Sequence, residues 1–211
     1  MNVKIKAISL VASLLISAVS HADFSLLKDN TPRDVVATWN QVILQDLDRD
    51  KQPLDLLQNP VNEQSMNLNM DGSNYFLAPF CHQVKIATSS VGSSYGSTAK
   101  NVCSLFVYTY DTVRVGHADL LSNDSNVSAN CSKILALSAI NFGDGLIVVA
   151  NCISENSAGG EGKSSIMSFL LKLKKKSANS ISIEQDNSCL MFPNKYKTIA
   201  FAKKALSQCK D

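Results

Sequence analysis

Histidine is scarce in this sequence, and no two of its cysteines are closely spaced. Only three histidines occur among the 211 residues, and His21 lies within the first 22, which leaves His82 and His117 in the rest of the chain. None of the six cysteines belongs to a C-x-x-C pair. Zinc sites are usually built from closely spaced cysteine and histidine ligands. We therefore expect neither a metal site nor a cofactor.

Apolar runs long enough to cross a bilayer are also missing. Residues 7–19 form an apolar stretch of 13 residues, whereas a membrane-spanning helix needs about 20. The stretch follows two lysines and precedes Ser20-His21-Ala22, whose small first and third residues are typical of a signal-peptide cleavage site. Asp23 stands where a lipoprotein would have cysteine. We predict a secretory signal peptide over residues 1–22 and an exported protein, periplasmic or extracellular, without a transmembrane segment.

Charge is unevenly distributed over the remainder, residues 23–211. This remainder is neutral overall, because the leader contains two of the 20 basic residues and none of the 18 acidic ones. Residues 23–162 hold 8 basic and 15 acidic residues, whereas residues 163–211 hold 10 and 3. A chain of this length falls in the usual range of one domain with a sizeable core. We predict a single α+β domain over residues 23–211, stabilised by disulfides.

Periodicity predicts a mostly antiparallel sheet of about six strands with a helix near each end. Thr31 and Pro32 are typical of a helix start, and apolar residues then recur at helical spacing as far as Leu47. Asp46 is the first of three acidic residues at the end of this helix, where the helix dipole disfavours them, so we expect a basic partner. Residues 196–210 should form the closing helix. The predicted strands are residues 83–89, 102–110, 133–140, 146–153, 166–174 and 180–184.

Two further segments refine this prediction. Residues 146–150 are apolar at every position, so their strand should be central and covered on both faces. Residues 59–74 are rich in asparagine and are typical of a long loop.

Six cysteines allow fifteen pairings, and their spacing narrows the choice. Cys81 and Cys103 are symmetric about Gly92, which lies in a polar run typical of a hairpin loop. They should face each other on neighbouring strands, within bridging range. Cys189, after the last predicted strand, could pin Cys209 on the closing helix.

Elimination leaves Cys131 with Cys152, and this pair conflicts with the simplest hairpin. A turn centred on Gly143 and Asp144 would place Cys131 opposite residues 156–158. At about 3.3 Å per residue, that offset exceeds bridging range unless Cys131 lies outside the strand.

His82 and His117 could act as general base and general acid in phosphodiester cleavage, with Asp119 orienting His117. Small secreted, disulfide-bonded ribonucleases use such a pair. The alternative is that both histidines are structural.

Three aromatic residues, Phe106, Tyr108 and Tyr110, line one face of a predicted strand. They could stack on sugars or bases. Alternatively, they fill the core beneath a covering helix.

Lysines of the basic part form a second candidate surface. Lys172, Lys174 and Lys176 alternate along one strand face, and Lys203 and Lys204 follow on the closing helix. They could bind an anionic surface, such as lipid or polysaccharide, or nucleic acid. Two structural roles compete: such lysines can protect an edge strand against aggregation, or neutralise the acidic part of the chain.

No nucleotide-binding or hydrolase motif is complete. Residues 157–164 resemble a P-loop, but Ser157 replaces the first glycine and a strand is predicted to follow. Residues 92–96 match G-x-S-x-G but also precede a strand. We expect no nucleotide ligand and favour an exported, non-enzymatic binding or interaction protein of a Gram-negative bacterium, whose partner is a protein or an anionic surface. The alternative is a small secreted hydrolase, above all a histidine-dependent nuclease, and only this alternative implies nucleic acid.

Overall fold

The computed structural model describes residues 25–28, 41–46, 54–55, 66–87, 97–122, 128–140, 145–154, 163–191 and 193–209. Ten strands occur in this part of the chain: β1 (Ser25–Lys28), β2 (Leu54–Asp55), β3 (Met66–Met70), β4 (Ser73–Ala87), β5 (Ser97–Tyr108), β6 (Arg114–Asp119), β7 (Cys131–Ala139), β8 (Gly145–Ser154), β9 (Lys163–Ser177) and β10 (Ser180–Gln185). Two segments are helical: α1 (residues 41–46) and α2 (Ile199–Gln208).

The strands form two antiparallel sheets that pack face to face. In the first sheet the order is β1-β3-β4-β5-β6, and β2 pairs with the far end of β4. In the second sheet the order is β10-β9-β8-β7. Leu77 and Leu105 of the first sheet and Val148 and Phe169 of the second are fully buried in one shared core. The chain is therefore mostly antiparallel sheet.

Helices cover the outer faces of both sheets. On the first sheet, Ile43 of α1 packs against Phe76 and Phe106. On the second sheet, Ala202 of α2 packs against Ile147. The layers follow the order α1, first sheet, second sheet, α2. Because β8 lies between the shared core and α2, its residues 146–150 are buried on both faces, as predicted.

The closing helix is shorter than the prediction of residues 196–210. Thr198 caps its amino end, and its hydroxyl accepts a hydrogen bond from the Phe201 N–H at 3.3 Å. At the other end, the N–H of Cys209 donates to the carbonyl of Ala205. Neither helix in the described residues is long and apolar enough to span a membrane.

The prediction of an amino-terminal helix is confirmed only for part of its length. Residues 41–46 are helical, whereas residues 31–40 and Leu47 lie outside the described residues. This helix is not the first element after residue 22, because β1 precedes it and pairs with β3.

The expected number of about six strands is wrong, since β1, β2, β3 and β6 lie outside the six predicted segments. The loop predicted at residues 59–74 includes β3, in which Leu68 and Met70 alternate with asparagines and face the core. Asp71 and Gly72 have φ angles of 49° and 71° and form the two-residue turn into β4. Asparagine disfavours strands in isolation, but this apolar face and turn outweigh that preference.

The hairpin of β7 and β8 has a different register from the predicted one. Its turn is centred one residue earlier, because Ala139 pairs with Leu146. Two bulges, each with an extra residue on β7, shift the register further. Cys131 therefore lies opposite Cys152, and the two form a disulfide. The predicted pairing is confirmed, and the predicted offset is wrong.

The other two predicted disulfides are also confirmed. Cys81 lies opposite Cys103 in the β4–β5 hairpin, whose register is symmetric about Gly92. Cys189, after β10, is bonded to Cys209 at the end of α2. Three disulfides fit an oxidising environment.

The side chain of Gln185 joins the two sheets where β6 and β10 approach each other. The amide of Gln185 accepts a hydrogen bond from the Leu121 N–H and donates one to the Leu121 carbonyl, both at 2.9 Å. This pair of bonds resembles one backbone pairing of a β-ladder, and it links the end of β10 to the segment that follows β6.

Candidate functional sites

The histidines and the aspartate of the predicted catalytic group lie on the outer face of the first sheet. His82 is on β4, and His117 and Asp119 are on β6, the two strands that flank β5. Strand pairing places His117 opposite Phe106 and Asp119 opposite Ser104. His82 lies close enough to interact electrostatically with both other members of the group. The fold thus brings the three residues together.

Asp119 is the centre of this group. Its Oδ1 atom lies 3.1 Å from Nε2 of His117 and accepts a hydrogen bond of 2.6 Å from the Ser104 hydroxyl. The Ser128 hydroxyl donates to the other carboxylate oxygen at 3.4 Å. The imidazole of His117 also stacks on the ring of Phe106, with centroids 4.4 Å apart. These contacts hold His117 in one orientation.

Burial and charge set the protonation states of this group. Burial lowers the pKa of His82 below 6.5 because the imidazolium loses solvation; the charge of Asp119 opposes this shift, and that of His117 adds to it. Burial alone would raise the pKa of Asp119, but the adjacent imidazole of His117 and the hydrogen bond from Ser104 outweigh this effect and keep the pKa below 3.8. At neutral pH, His82 is therefore mainly neutral and Asp119 is ionised.

The group can perform acid–base chemistry, but it is not a serine-nucleophile triad. A neutral His82 can accept a proton, and the contact with Asp119 fixes the position of the His117 imidazole. The Ser104 hydroxyl donates to Asp119, whereas in a Ser-His-Asp triad the serine donates to the histidine. Sequence reasoning missed Ser104, although a lone serine in an apolar strand was a usable signal. Among the described residues, no three histidine, cysteine or acidic side chains are placed to hold a metal ion.

A second polar contact lies further along the same face, beneath α1. Tyr108 is fully buried and donates a hydrogen bond of 2.9 Å to Oδ2 of Asp46. Nε of Arg114 lies 3.9 Å from the same oxygen and supplies the basic partner expected for Asp46. Phe106 and Tyr108 therefore belong to the core under a helix, whereas Tyr110 is exposed.

The predicted lysine surface lies on the opposite side of the molecule. Lys172, Lys174 and Lys176 are exposed on β9, where they alternate with inward-facing Leu171, Leu173 and Lys175; both leucines are buried in the shared core. Lys203 and Lys204 are on α2, which covers the same outer face. β9 pairs with β10 along this stretch, and with β8 only as far as Lys172.

Only one of these five lysines has a carboxylate partner among the described residues. Nζ of Lys172 lies 2.6 Å from Oδ2 of Asp186. Hydrogen bonds from Lys172 and from the Ser188 N–H lower the pKa of Asp186 to about 2. Asp186 belongs to the basic part of the chain, so this pair does not join the acidic part to the basic part.

A cavity of ≈ 470 Å³ lies between α2 and the second sheet. Lys172, Asp186 and Lys203 contribute its charged groups. Its apolar lining includes Leu170 and Leu206, and the Cys189–Cys209 disulfide forms part of the wall. Sequence reasoning identified both lysines but not the cavity. Lys172 and Lys203 are 31 residues apart in the sequence, and only the packing of α2 on the sheet brings them to one cavity. Lys204, the neighbour of Lys203, lines a different cavity.

Comparisons with family models, curated proteins and solved structures found no match to this chain. The histidine–aspartate group and the lysine surface are therefore the basis for a functional proposal.

Proposed function

We propose that this chain is an exported binding protein of a Gram-negative bacterium, and that its lysine surface attaches to an anionic partner. One observation carries this proposal: Lys174, Lys176, Lys203 and Lys204 have no carboxylate within ion-pair distance in the described part of the chain. Their charge is therefore available to an external anion. A lysine near an anionic surface contributes about 1 kcal/mol to binding.

The experiment compares vesicles rich in anionic phosphatidylglycerol, neutral phosphatidylcholine vesicles and heparin, which separates a lipid from a polysaccharide partner. Lys174→Glu/Lys176→Glu should weaken binding more than about tenfold, since each reversal replaces attraction by repulsion. Lys100→Glu/Lys133→Glu changes the net charge equally elsewhere and is the control. Binding should also weaken with salt, because the Debye length falls from about 10 Å at 0.1 M to about 3 Å at 1 M. Absent or salt-insensitive binding would contradict the proposal.

Export is part of this proposal and has its own test. The signal-peptide pattern over residues 1–22 and the three disulfides support it. Protein recovered outside the cytoplasm should begin at Asp23 and show no mass increase after treatment with an alkylating reagent. An alkylated cysteine or an intact leader would argue against export.

A histidine-dependent nuclease is the second candidate, favoured by the meeting of His82, His117 and Asp119 on one face. His82→Ala and His117→Ala should each reduce RNA cleavage by about 10²- to 10⁴-fold, as expected for loss of a general acid or base. Circular dichroism of both variants provides the control for folding. If purified wild-type protein leaves RNA intact, this candidate is eliminated.

A further inference from the structure

The cavity between α2 and the second sheet has the size of a small-molecule site. Its volume is ≈ 470 Å³, within the range of about 300–1,000 Å³ for ligand pockets. Leu170 and Leu206 give it apolar walls. These walls would favour a hydrocarbon group, since the removal of apolar surface from water lowers the free energy of binding.

The charged groups that line the cavity differ in whether they have a partner of opposite charge. Asp186 is held by Lys172, at 2.6 Å, and by the N–H of Ser188, at 2.9 Å. In contrast, no carboxylate lies within ion-pair distance of Lys203 in the described residues. One positive charge at the cavity is thus left for a ligand.

We infer that this cavity binds a small organic anion with an apolar tail, such as a medium-chain carboxylate, through Lys203 and the leucines of its wall. A purely polar anion would leave Leu170 and Leu206 in contact with water. A neutral hydrocarbon would bury Lys203 without a partner, which is unfavourable. An amphiphilic anion satisfies both parts of the lining. Lys203 belongs both to this cavity and to the proposed lysine surface, so the inference rests on the proposed function for the availability of the Lys203 charge.

Decanoate is a suitable probe, and calorimetry on the disulfide-bonded protein measures its affinity below the concentration at which it forms micelles. Lys203→Gln should weaken decanoate binding about tenfold or more, the loss expected for a charge-assisted hydrogen bond. Lys204→Gln removes the same charge from the same helix outside the cavity, and should leave the affinity unchanged. Decanol, which lacks the charge, should bind more weakly than decanoate.

Filling the cavity provides a second test. Ser207 lines the cavity, whereas Ala200 is exposed on the same helix and does not. Ser207→Trp should abolish decanoate binding, and Ala200→Trp should preserve it. No binding to the wild type, or equal loss in the Lys203 and Lys204 variants, would overturn the inference.

These outcomes also separate the two proposals. If vesicles and heparin fail to bind while decanoate binds through Lys203, the lysine surface is wrong and the cavity site stands. If anionic surfaces bind and decanoate does not, the opposite holds.

Discussion

The Sγ atom of Cys103 lies 3.1 Å from the carbonyl oxygen of Cys131, so two disulfides from different sheets meet in the shared core. The sulfur carries no hydrogen, and this is a packing contact rather than a hydrogen bond. Cys81–Cys103 links neighbouring strands of the first sheet, and Cys131–Cys152 links neighbouring strands of the second.

This contact predicts energetic coupling between the two core disulfides. The three disulfides span 22, 21 and 20 residues, so loop-closure entropy assigns each about 3 kcal/mol. Replacing both core disulfides with alanine pairs should give a non-additive loss in the free energy of unfolding, by more than about 0.5 kcal/mol. Replacing Cys189–Cys209 together with Cys81–Cys103 should be additive. Urea unfolding measures both combinations, and additivity in the first would contradict the coupling.

Gln185 should contribute to stability through its bonds to Leu121. Gln185→Ala leaves both backbone groups of Leu121 without these partners, at a cost of about 1–3 kcal/mol in the free energy of unfolding. The adjacent Glu184→Ala removes an exposed side chain and should change this free energy by no more than about 0.5 kcal/mol. Equal effects in urea unfolding would show that the bridge between sheets is not stabilising.

The hydroxyl group of Tyr108 should contribute to the stability of the folded protein. Tyr108→Phe removes the hydrogen bond to the buried side chain of Asp46, and we expect a loss of about 1–3 kcal/mol in the free energy of unfolding because a buried acceptor loses this donor. Tyr110→Phe makes the same chemical change at an exposed position and should cost less than about 0.5 kcal/mol. Thermal unfolding of the two variants compares them, and a neutral Tyr108→Phe would refute the role of this bond.

The pKa of His82 leads to a prediction about acid stability. Because it is lowered in the folded protein, the unfolded chain binds the proton more tightly, so stability is fully present above pH 6.5 and declines as pH falls below that value. An NMR titration should place the midpoint of His82 below 6.5. Asp119→Asn should lower it further, since the carboxylate charge raises this pKa. His82→Gln should flatten the decline in stability. A midpoint at or above 6.5 would exclude this account.

The structural features that could be predicted are those that depend on segments close together in the sequence. The symmetry of Cys81 and Cys103 about Gly92 gave their pairing, because a hairpin joins adjacent segments. The Asp71-Gly72 turn is a similar indication of a hairpin between β3 and β4. It was overlooked because the asparagine-rich composition of residues 59–74 is typical of a loop. The Cys131–Cys152 register was not predictable, since its bulges depend on packing against the rest of the sheet.

The sequence by itself determined the apolar strand at residues 146–150, the closing helix and the pairing of Cys81 with Cys103, because spacing along the chain controls which side chains share a face. Tertiary structure alone decided that His82 lies close enough to Asp119 to interact electrostatically, that Lys203 and Lys172 line one cavity, and that Gln185 reaches Leu121. These contacts join distant segments. They arise from the order of the strands and the packing of the two sheets. Both depend on the free energy of the whole core, which local sequence patterns do not reveal.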